Sequence, residues 1–144
     1  MLPTKASILI VDDEFGLAEM LREMLRESGF DVTLAINGRL ALEILHEGKV
    51  DLVLTDMMMP VMDGAELAAA MRSDDRHRKT PIVMMTSLPT ALPQRDRLFD
   101  AVLRKPFTPD LLLETIGTCL AKADQTATGW SPGGAQEFDG GLNG

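Results

Sequence analysis

Five chemically active side chains follow apolar stretches of this 144-residue chain. Asp12 and Asp13 close one stretch, Asp56 closes another, and Thr86 and Lys105 follow two more. Three carboxylates gathered in one place repel each other, and magnesium relieves such repulsion because it prefers oxygen ligands. A hydroxyl and a lysine beside that ion can hold the oxygens of a phosphoryl group. These residue types therefore predict a site for Mg²⁺ and phosphate, with an aspartyl phosphate on Asp56 as the product.

Strand and helix signals alternate along the chain, and these elements must position the five residues. Short apolar runs predict strands at residues 7–11, 32–35, 52–55, 81–85 and 101–103. Helical spacing, N-caps and stop residues predict helices within 17–28, 40–45, 65–71 and 109–122. This alternation specifies an α/β sandwich with a parallel sheet and right-handed crossovers. Ligands bind beyond the carboxyl ends of such strands, so the five residues are expected to meet there.

Composition narrows the class of protein. The hydrophobic content of 45% and the charged content of 25% are those of an ordinary globular domain. A net charge of -8 argues against nucleic-acid binding, which needs a basic patch. No apolar stretch approaches the roughly 20 residues of a membrane span, and no signal region precedes the first strand. The single cysteine, Cys119, excludes an internal disulfide and favours a cytoplasmic location.

The chain is expected to contain one domain, residues 1–122, followed by a flexible tail, residues 123–144. The tail holds six of the twelve glycines and no lysine or arginine. It shows no apolar period, and composition of this kind is typical of a flexible segment. Trp130, Phe138 and Leu142 leave open the alternative of a short docking motif.

Four stretches resemble the receiver domain of two-component response regulators, and the resemblance covers residues 6–122. They are residues 8–14 (ILIVDDE), 51–64 (DLVLTDMMMPVMDG), 81–87 (PIVMMTS) and 103–107 (LRKPF). The resemblance implies a doubly wound five-stranded sheet of flavodoxin-like order 2-1-3-4-5. It also implies a phosphorylation-dependent signalling protein, not an enzyme beyond its own phosphorylation and slow dephosphorylation.

The same resemblance assigns roles to individual residues. Asp56 would accept the phosphoryl group from a sensor histidine kinase or a histidine phosphotransfer protein, and pass the signal to an unknown downstream protein. Asp13, Asp56 and the Met58 carbonyl would ligate Mg²⁺ directly, with Asp12 acting through water. The phosphoryl-binding and switch residues would be Thr86, Ser87 and Lys105, with a cis peptide bond between Lys105 and Pro106.

Two departures from the family pattern concern how the signal leaves the site. Receivers usually carry an aromatic residue three positions before the lysine, whereas here Val102 stands there and the chain has no tyrosine. The interval from Thr86 to Lys105 is 19 residues and contains Pro89 and Pro93. Proline disfavours a continuing helix, so the helix between the fourth and fifth strands, the fourth helix in the usual order of such domains, is expected to be short or irregular. The segment 88–98 is expected to respond to phosphorylation.

Other functions remain alternatives. A degenerate receiver that serves only as a protein-interaction scaffold is compatible with Val102. A metal-dependent phosphohydrolase would need an acid two residues after its nucleophile, where this chain has Met58. Dinucleotide binding is excluded because no glycine-rich phosphate loop follows a strand. His46 and His77 are isolated, and we interpret them as solvated or capping residues.

Overall fold

The computed structural model of the protein describes residues 5–87 and 98–128. In these residues the chain forms five strands and four helices. The strands are β1 Ser7–Val11, β2 Asp31–Ala35, β3 Leu52–Asp56, β4 Ile82–Thr86 and β5 Ala101–Arg104. The helices are α1 Phe15–Glu27, α2 Gly38–Glu47, α3 Gly64–Arg72 and α4 Pro109–Thr128.

The strands form one parallel sheet in the order β2-β1-β3-β4-β5. This confirms the flavodoxin-like order predicted from the sequence. The chain winds outward from β1 to β2 and then returns to β3, which lies on the other side of β1. The winding direction therefore switches between β1 and β3, the place where sheets of this type bind ligands.

Helices cover both faces of the sheet. In β1, Leu9 and Val11 pack toward α2 and α3, while Ile8 and Ile10 pack toward α1 and α4. All four side chains are completely buried. Burial on two faces explains why the strands are continuous apolar runs in the sequence. Polar side chains consequently concentrate at the strand ends.

The predicted strand boundaries agree with the structure to within one residue, and those of the first three helices agree to within two. The end of the last helix differs more. β4 begins at Ile82 instead of Pro81, since proline has no N–H to donate to the sheet and contributes only its carbonyl, which accepts from Val53 N at 2.9 Å. Helix α4 continues to Thr128, beyond the predicted end at about Lys122. Residues 118–128 contain no glycine or proline, so nothing in the sequence stops the helix earlier.

Two expectations fall on residues that the structure does not describe. The short or irregular fourth helix between β4 and β5, with its response to phosphorylation, concerns residues 88–97. The docking motif concerns residues 129–144. Both remain predictions from the sequence. Within the described residues, no helix is long and apolar enough to cross a membrane.

Capping residues fix the starts of three helices, and the sequence predicts those at Asp63 and Thr108. Asn37 accepts a hydrogen bond from Leu40 N at 2.9 Å, and Thr108 Oγ1 accepts one from Leu111 N at 3.1 Å. Asp63 and Glu66 form a reciprocal capping box at the start of α3. These bonds fix where α2, α3 and α4 leave the sheet edge.

The two histidines differ. His46 is exposed in the last turn of α2, as expected. His77 is only 2% exposed, which makes a solvated position wrong for it. Its Nε2 lies 3.0 Å from the carbonyl oxygen of Leu45, one of the last carbonyls of α2. His77 therefore caps the helix from a neighbouring loop, a contact that its sequence position does not reveal.

Arg72 ties together the amino-terminal ends of β4 and β5. This last residue of α3 donates to Leu98 O at 3.2 Å and to two carbonyls of the loop that precedes β4. It also forms a 2.8 Å ion pair with Asp100 Oδ2, which accepts a further bond from Ile82 N at 2.7 Å. Arg72 thus fixes the edge of the sheet opposite the acidic residues.

We expect Arg72→Ala to lower the free energy of unfolding by about 2–3 kcal/mol, because several backbone carbonyls and a carboxylate lose their donor. Urea denaturation measures the change. Arg26→Ala is the control: this exposed arginine lies 3.9 Å from Glu23 Oε2, and its loss should cost less than about 0.5 kcal/mol. Equal losses in the two variants would contradict the role of Arg72.

Candidate functional site

Adjacent strand ends bring the three predicted carboxylates together. Val11 pairs with Thr55, so Asp12 and Asp13 follow β1 beside Asp56 at the end of β3. One carboxylate oxygen from each aspartate lies within 4.8 Å of the other two. Asp12 is buried, Asp56 is partly buried and Asp13 is exposed. The three carboxylates therefore extend from the buried end of the sheet to the solvent-exposed surface.

Lys105 supplies the positive charge of the site. Its Nζ lies 3.2 Å from Asp56 Oδ1 and 3.8 Å from Asp12 Oδ2. The backbone positions it, since Lys105 N donates to Thr86 O at 2.8 Å and so continues the pairing of β4 with β5. The peptide bond to Pro106 is cis, as the sequence predicted. The lysine is thus fixed over the acidic cluster.

Asp56 is held by two donors. Its Oδ1 accepts a hydrogen bond from Met57 N at 3.0 Å in addition to the contact with Lys105. The side chain is 14% exposed, so it is oriented by the protein yet reachable from outside. A carboxylate with these properties can act as a nucleophile toward an incoming group.

Asp12 is the buried member of the cluster. Its Oδ1 accepts from Glu14 N at 2.9 Å, whereas its buried Oδ2 has no hydrogen-bond partner. Burial raises the pKa of Asp12 above 3.8, and the charges of Asp56 and Asp13 raise it further, while the Glu14 N–H and Lys105 lower it. A buried carboxylate oxygen without a donor, beside two more carboxylates, suits a divalent cation with oxygen ligands.

The remaining predicted residues lie around this cluster. Thr86 is buried at the end of β4, and Ser87 follows it as an exposed residue. Met58 has an exposed side chain two residues beyond Asp56. Val102 lies on β5 opposite Met84 and is 42% exposed, so this position faces solvent in part.

Gly64 is a site residue that the sequence did not indicate, because Asp63–Gly64 was interpreted only as a turn and cap. A Cβ atom at this position would overlap the carbonyl oxygen of Asp56 and approach Met84 Sδ to 2.8 Å. Gly64 N also donates to Met57 O at 2.9 Å. The start of α3 therefore packs directly on the backbone of the central aspartate, which only glycine permits.

The loop between β3 and α3 contains a second feature that the sequence did not reveal. Val61 has a φ of 72°, and Met62 N donates to Pro60 O at 2.8 Å across it. This is a γ-turn of the rare, strained form. Gly38 N binds Met62 O at 3.3 Å, so the start of α2 holds the far end of the loop.

The parallel sheet, with three clustered aspartates and a lysine at its switch point, defines a doubly wound α/β domain with an acidic site. The comparisons name its family. The family model for the response regulator receiver domain matches residues 8–117. The chemotaxis protein CheY of Pseudomonas aeruginosa is 38% identical over 117 residues, which is 76% of this chain and 91% of that protein. The chain belongs to the response regulator receiver family.

Solved structures agree with this assignment. CheY4 of Vibrio cholerae has a TM-score of 0.74 at 32% identity, over 81% of this chain and 99% of that chain. TrrA of Thermotoga maritima, solved in complex with Mg²⁺-BeF, has a TM-score of 0.73 at 31% identity, over 79% of this chain and 98% of that chain. Several other curated relatives are longer, and this chain covers 51% to 54% of their length.

We expect Gly64→Ala to lower the free energy of unfolding by about 2 kcal/mol, because the backbone of Asp56 or the start of α3 must shift. Gly117→Ala in α4 is the control: nothing lies within 4 Å of its added Cβ. That change should stabilise the protein by up to about 1 kcal/mol, as alanine favours helices. Urea denaturation measures both, and a harmless Gly64→Ala would contradict the close approach.

We expect Asp12→Asn to raise the free energy of unfolding of the metal-free protein at neutral pH. The amide keeps the acceptor for Glu14 N and removes a buried charge. Since the pKa of Asp12 is raised in the folded state, its unfavourable contribution is absent below 3.8 and grows as the pH rises through the folded value.

The advantage of Asp12→Asn should therefore disappear in acid at a pH below 3.8. Urea denaturation with a chelator at neutral and acidic pH tests this. Asp13→Asn, at the exposed position, should give a smaller gain. A gain that is equally large in acid would show that charge is not its cause.

Proposed function

We propose that this chain is a phosphorylation-dependent signalling receiver that accepts a phosphoryl group on Asp56. The donor would be a phosphohistidine of a sensor histidine kinase or of a histidine phosphotransfer protein in the cytoplasm. The observation that carries the proposal is the placement of Lys105 Nζ 3.2 Å from Asp56 Oδ1, within a cluster of three carboxylates. Membership of the receiver family supports the same role.

The transfer requires little from the protein beyond position and charge. An oxygen of Asp56 forms a bond to phosphorus while the bond from phosphorus to the histidine nitrogen breaks, and the imidazole leaves with that electron pair. Lys105 is close enough to move from the Asp56 carboxylate to a phosphoryl oxygen. Thr86, at the adjacent strand end, is the candidate hydroxyl donor to another phosphoryl oxygen, with Ser87 beside it.

The charge of the cluster favours Mg²⁺. Three carboxylates and one ammonium leave two negative charges, which one divalent cation balances. The proposed direct ligands are Asp13, Asp56 and the Met58 carbonyl, with Asp12 acting through water. When bound, Mg²⁺ would offset the negative charge of the carboxylates and of the phosphoryl oxygens. The relative TrrA, which was solved with Mg²⁺-BeF, supports this choice of ion.

Exposed apolar side chains that follow the acidic residues closely in the chain support a protein donor. Phe15, Met58 and Val61 are 64%, 67% and 72% exposed, and each follows one of the acidic residues within five positions of the chain. Exposed large apolar side chains that cluster in this way mark interaction surfaces. A groove of about 520 Å³, lined in part by Leu17 and Phe107, lies beside Lys105 and Ser87. A docking partner would thus exclude water during the transfer.

A scaffold that works without phosphate is the second candidate. Its support is Val102, which is short, partly exposed and stiff at χ1, so it cannot sweep through a space as an aromatic switch residue does. The complete set of acidic residues with a bound lysine favours the phosphorylated switch. Phosphate uptake separates the two candidates.

We expect intact-mass measurement to show one phosphate adduct after incubation with Mg²⁺ and a small-molecule acyl phosphate. Asp56→Asn should abolish the adduct, because it removes the nucleophilic oxygen and its charge. Asp75→Asn is the matched control, since its side chain is 95% exposed and lies in the loop after α3. Undiminished labelling of Asp56→Asn would contradict the assignment of Asp56 as the phosphoacceptor. A wild-type chain without an adduct would favour the scaffold.

We expect the phosphorylated protein to decay slowly when no partner is present. In this family the side chains two positions beyond the aspartate and two beyond the threonine flank the path of the attacking water. These are Met58 and Leu88, of which Leu88 lies outside the described residues, and neither orients water by hydrogen bonding. The decay of the mass adduct measures the half-life, and a value of seconds would refute the expectation.

A further inference from the structure

The methionines of this protein differ sharply in exposure. Nine of the ten fall within residues 5–87 and 98–128, and among these only Met58 and Met20 are exposed, at 67% and 60%. The others are buried or half-buried; the buried ones are Met57, Met59, Met71, Met84 and Met85. Among these nine methionines, an oxidant dissolved in water therefore meets the thioethers of Met58 and Met20 first.

Met58 also has a special place in the chain. It stands two residues after Asp56, so its Cα lies no farther than about 7.6 Å from that of the phosphoacceptor. The preceding residue, Met57, turns its side chain into the core and bonds Asp56 Oδ1 through its N–H. The Met58 thioether is thus an exposed group that lies close in the chain to the proposed acyl phosphate on Asp56.

We propose that Met58 is an oxidative modification site whose sulfoxide shortens the lifetime of the phosphorylated state. In the modification a peroxide transfers one oxygen atom to the thioether sulfur and leaves as water, or as the alcohol if it is an alkyl peroxide. The sulfur loses two electrons and the peroxide gains them. This inference rests on the proposed function, because it concerns the stability of phosphate on Asp56.

The physical reason lies in the change of hydrogen bonding. A thioether sulfur is a weak acceptor, whereas a sulfoxide oxygen is a strong and polar one. Such an oxygen can orient a water molecule toward phosphorus. The water oxygen then forms a bond to phosphorus, and the bond from phosphorus to Asp56 breaks with its electron pair left on the carboxylate. Both water protons leave with the phosphate, as H₂PO₄⁻. Oxidation thus converts the Met58 side chain from one that does not orient water into one that positions a water molecule for attack on phosphorus.

The experiment compares phosphate half-lives before and after mild treatment with hydrogen peroxide. The full chain is oxidised, freed of peroxide, and phosphorylated with a small-molecule acyl phosphate and Mg²⁺. Peptide mass spectrometry measures the oxygen added at Met58 and at Met20. The variants are Met58→Leu, which cannot be oxidised there, Met20→Leu, which keeps Met58, and Met58→Gln, which places a permanent oxygen acceptor at the position.

We expect oxidation to shorten the half-life of the wild-type chain and of Met20→Leu by about fivefold, the factor that one added hydrogen bond gives. Met58→Leu should keep its own untreated half-life although Met20 is oxidised in it. Met58→Gln should decay faster than Met58→Leu without any peroxide.

Three results would overturn the inference. Met58 could resist peroxide that oxidises Met20, its oxidation could leave the half-life unchanged, or Met58→Leu could lose lifetime as the wild type does. In each case phosphate uptake by the untreated chain would leave the proposed function standing. If the chain accepted no phosphate before or after oxidation, both the proposed function and the inference about Met58 would be contradicted.

Discussion

Repulsion among three carboxylates is the constraint on which the rest of this structure depends. Asp12, Asp13 and Asp56 lie within 4.8 Å of one another through their oxygens, and the one cation beside them in the described part of the chain is Lys105. Burial of Asp12 makes the repulsion more costly, as its raised pKa indicates. Such a cluster persists only because the surrounding elements hold it in place.

The holding elements include the most deeply buried strands of the fold. β1 and β3 are the central strands, and their side chains are buried on both faces of the sheet. Helix α3 packs on the backbone of Asp56 through Gly64 and is fixed at its start by a capping box. At the other edge of the sheet Arg72 secures the beginnings of β4 and β5. The strain and charge of the site are thus supported by a buried core.

The position that usually carries the aromatic switch residue departs from the receiver pattern, whereas the acidic residues match it. Val102 occupies the position where receivers usually carry an aromatic ring, and it lies half-exposed on the edge strand β5. Phe15, Met58 and Val61, which follow the acidic residues closely in the chain, are exposed apolar side chains. Under the proposed function, the surface that would receive the phosphoryl group would also present exposed apolar side chains to a partner. Proteins that donate the phosphoryl group and proteins that recognise the phosphorylated state would then bind overlapping surfaces.

The sequence by itself determined the element types, the sheet and the central residues of the site. Continuous apolar runs predicted buried strands because a parallel sheet is covered on both faces, and a residue at the end of such a run must lie at the sheet edge. That reasoning placed Asp12, Asp56 and Lys105 together without any contact being known. It also predicted the caps at Asp63 and Thr108, since capping is a local interaction between neighbours in the chain.

Only the tertiary structure decided the features that depend on distant neighbours. Gly64 has an ordinary helical position, and its importance comes from the Asp56 carbonyl beside it. His77 lies in a polar stretch, yet it is buried because it caps α2, more than thirty residues earlier in the chain. Met57 and Met58 are identical in type and adjacent in sequence, but one is in the core and the other in solvent. Burial and close approach are properties of the packed chain, so they cannot be obtained from residue type and local spacing alone.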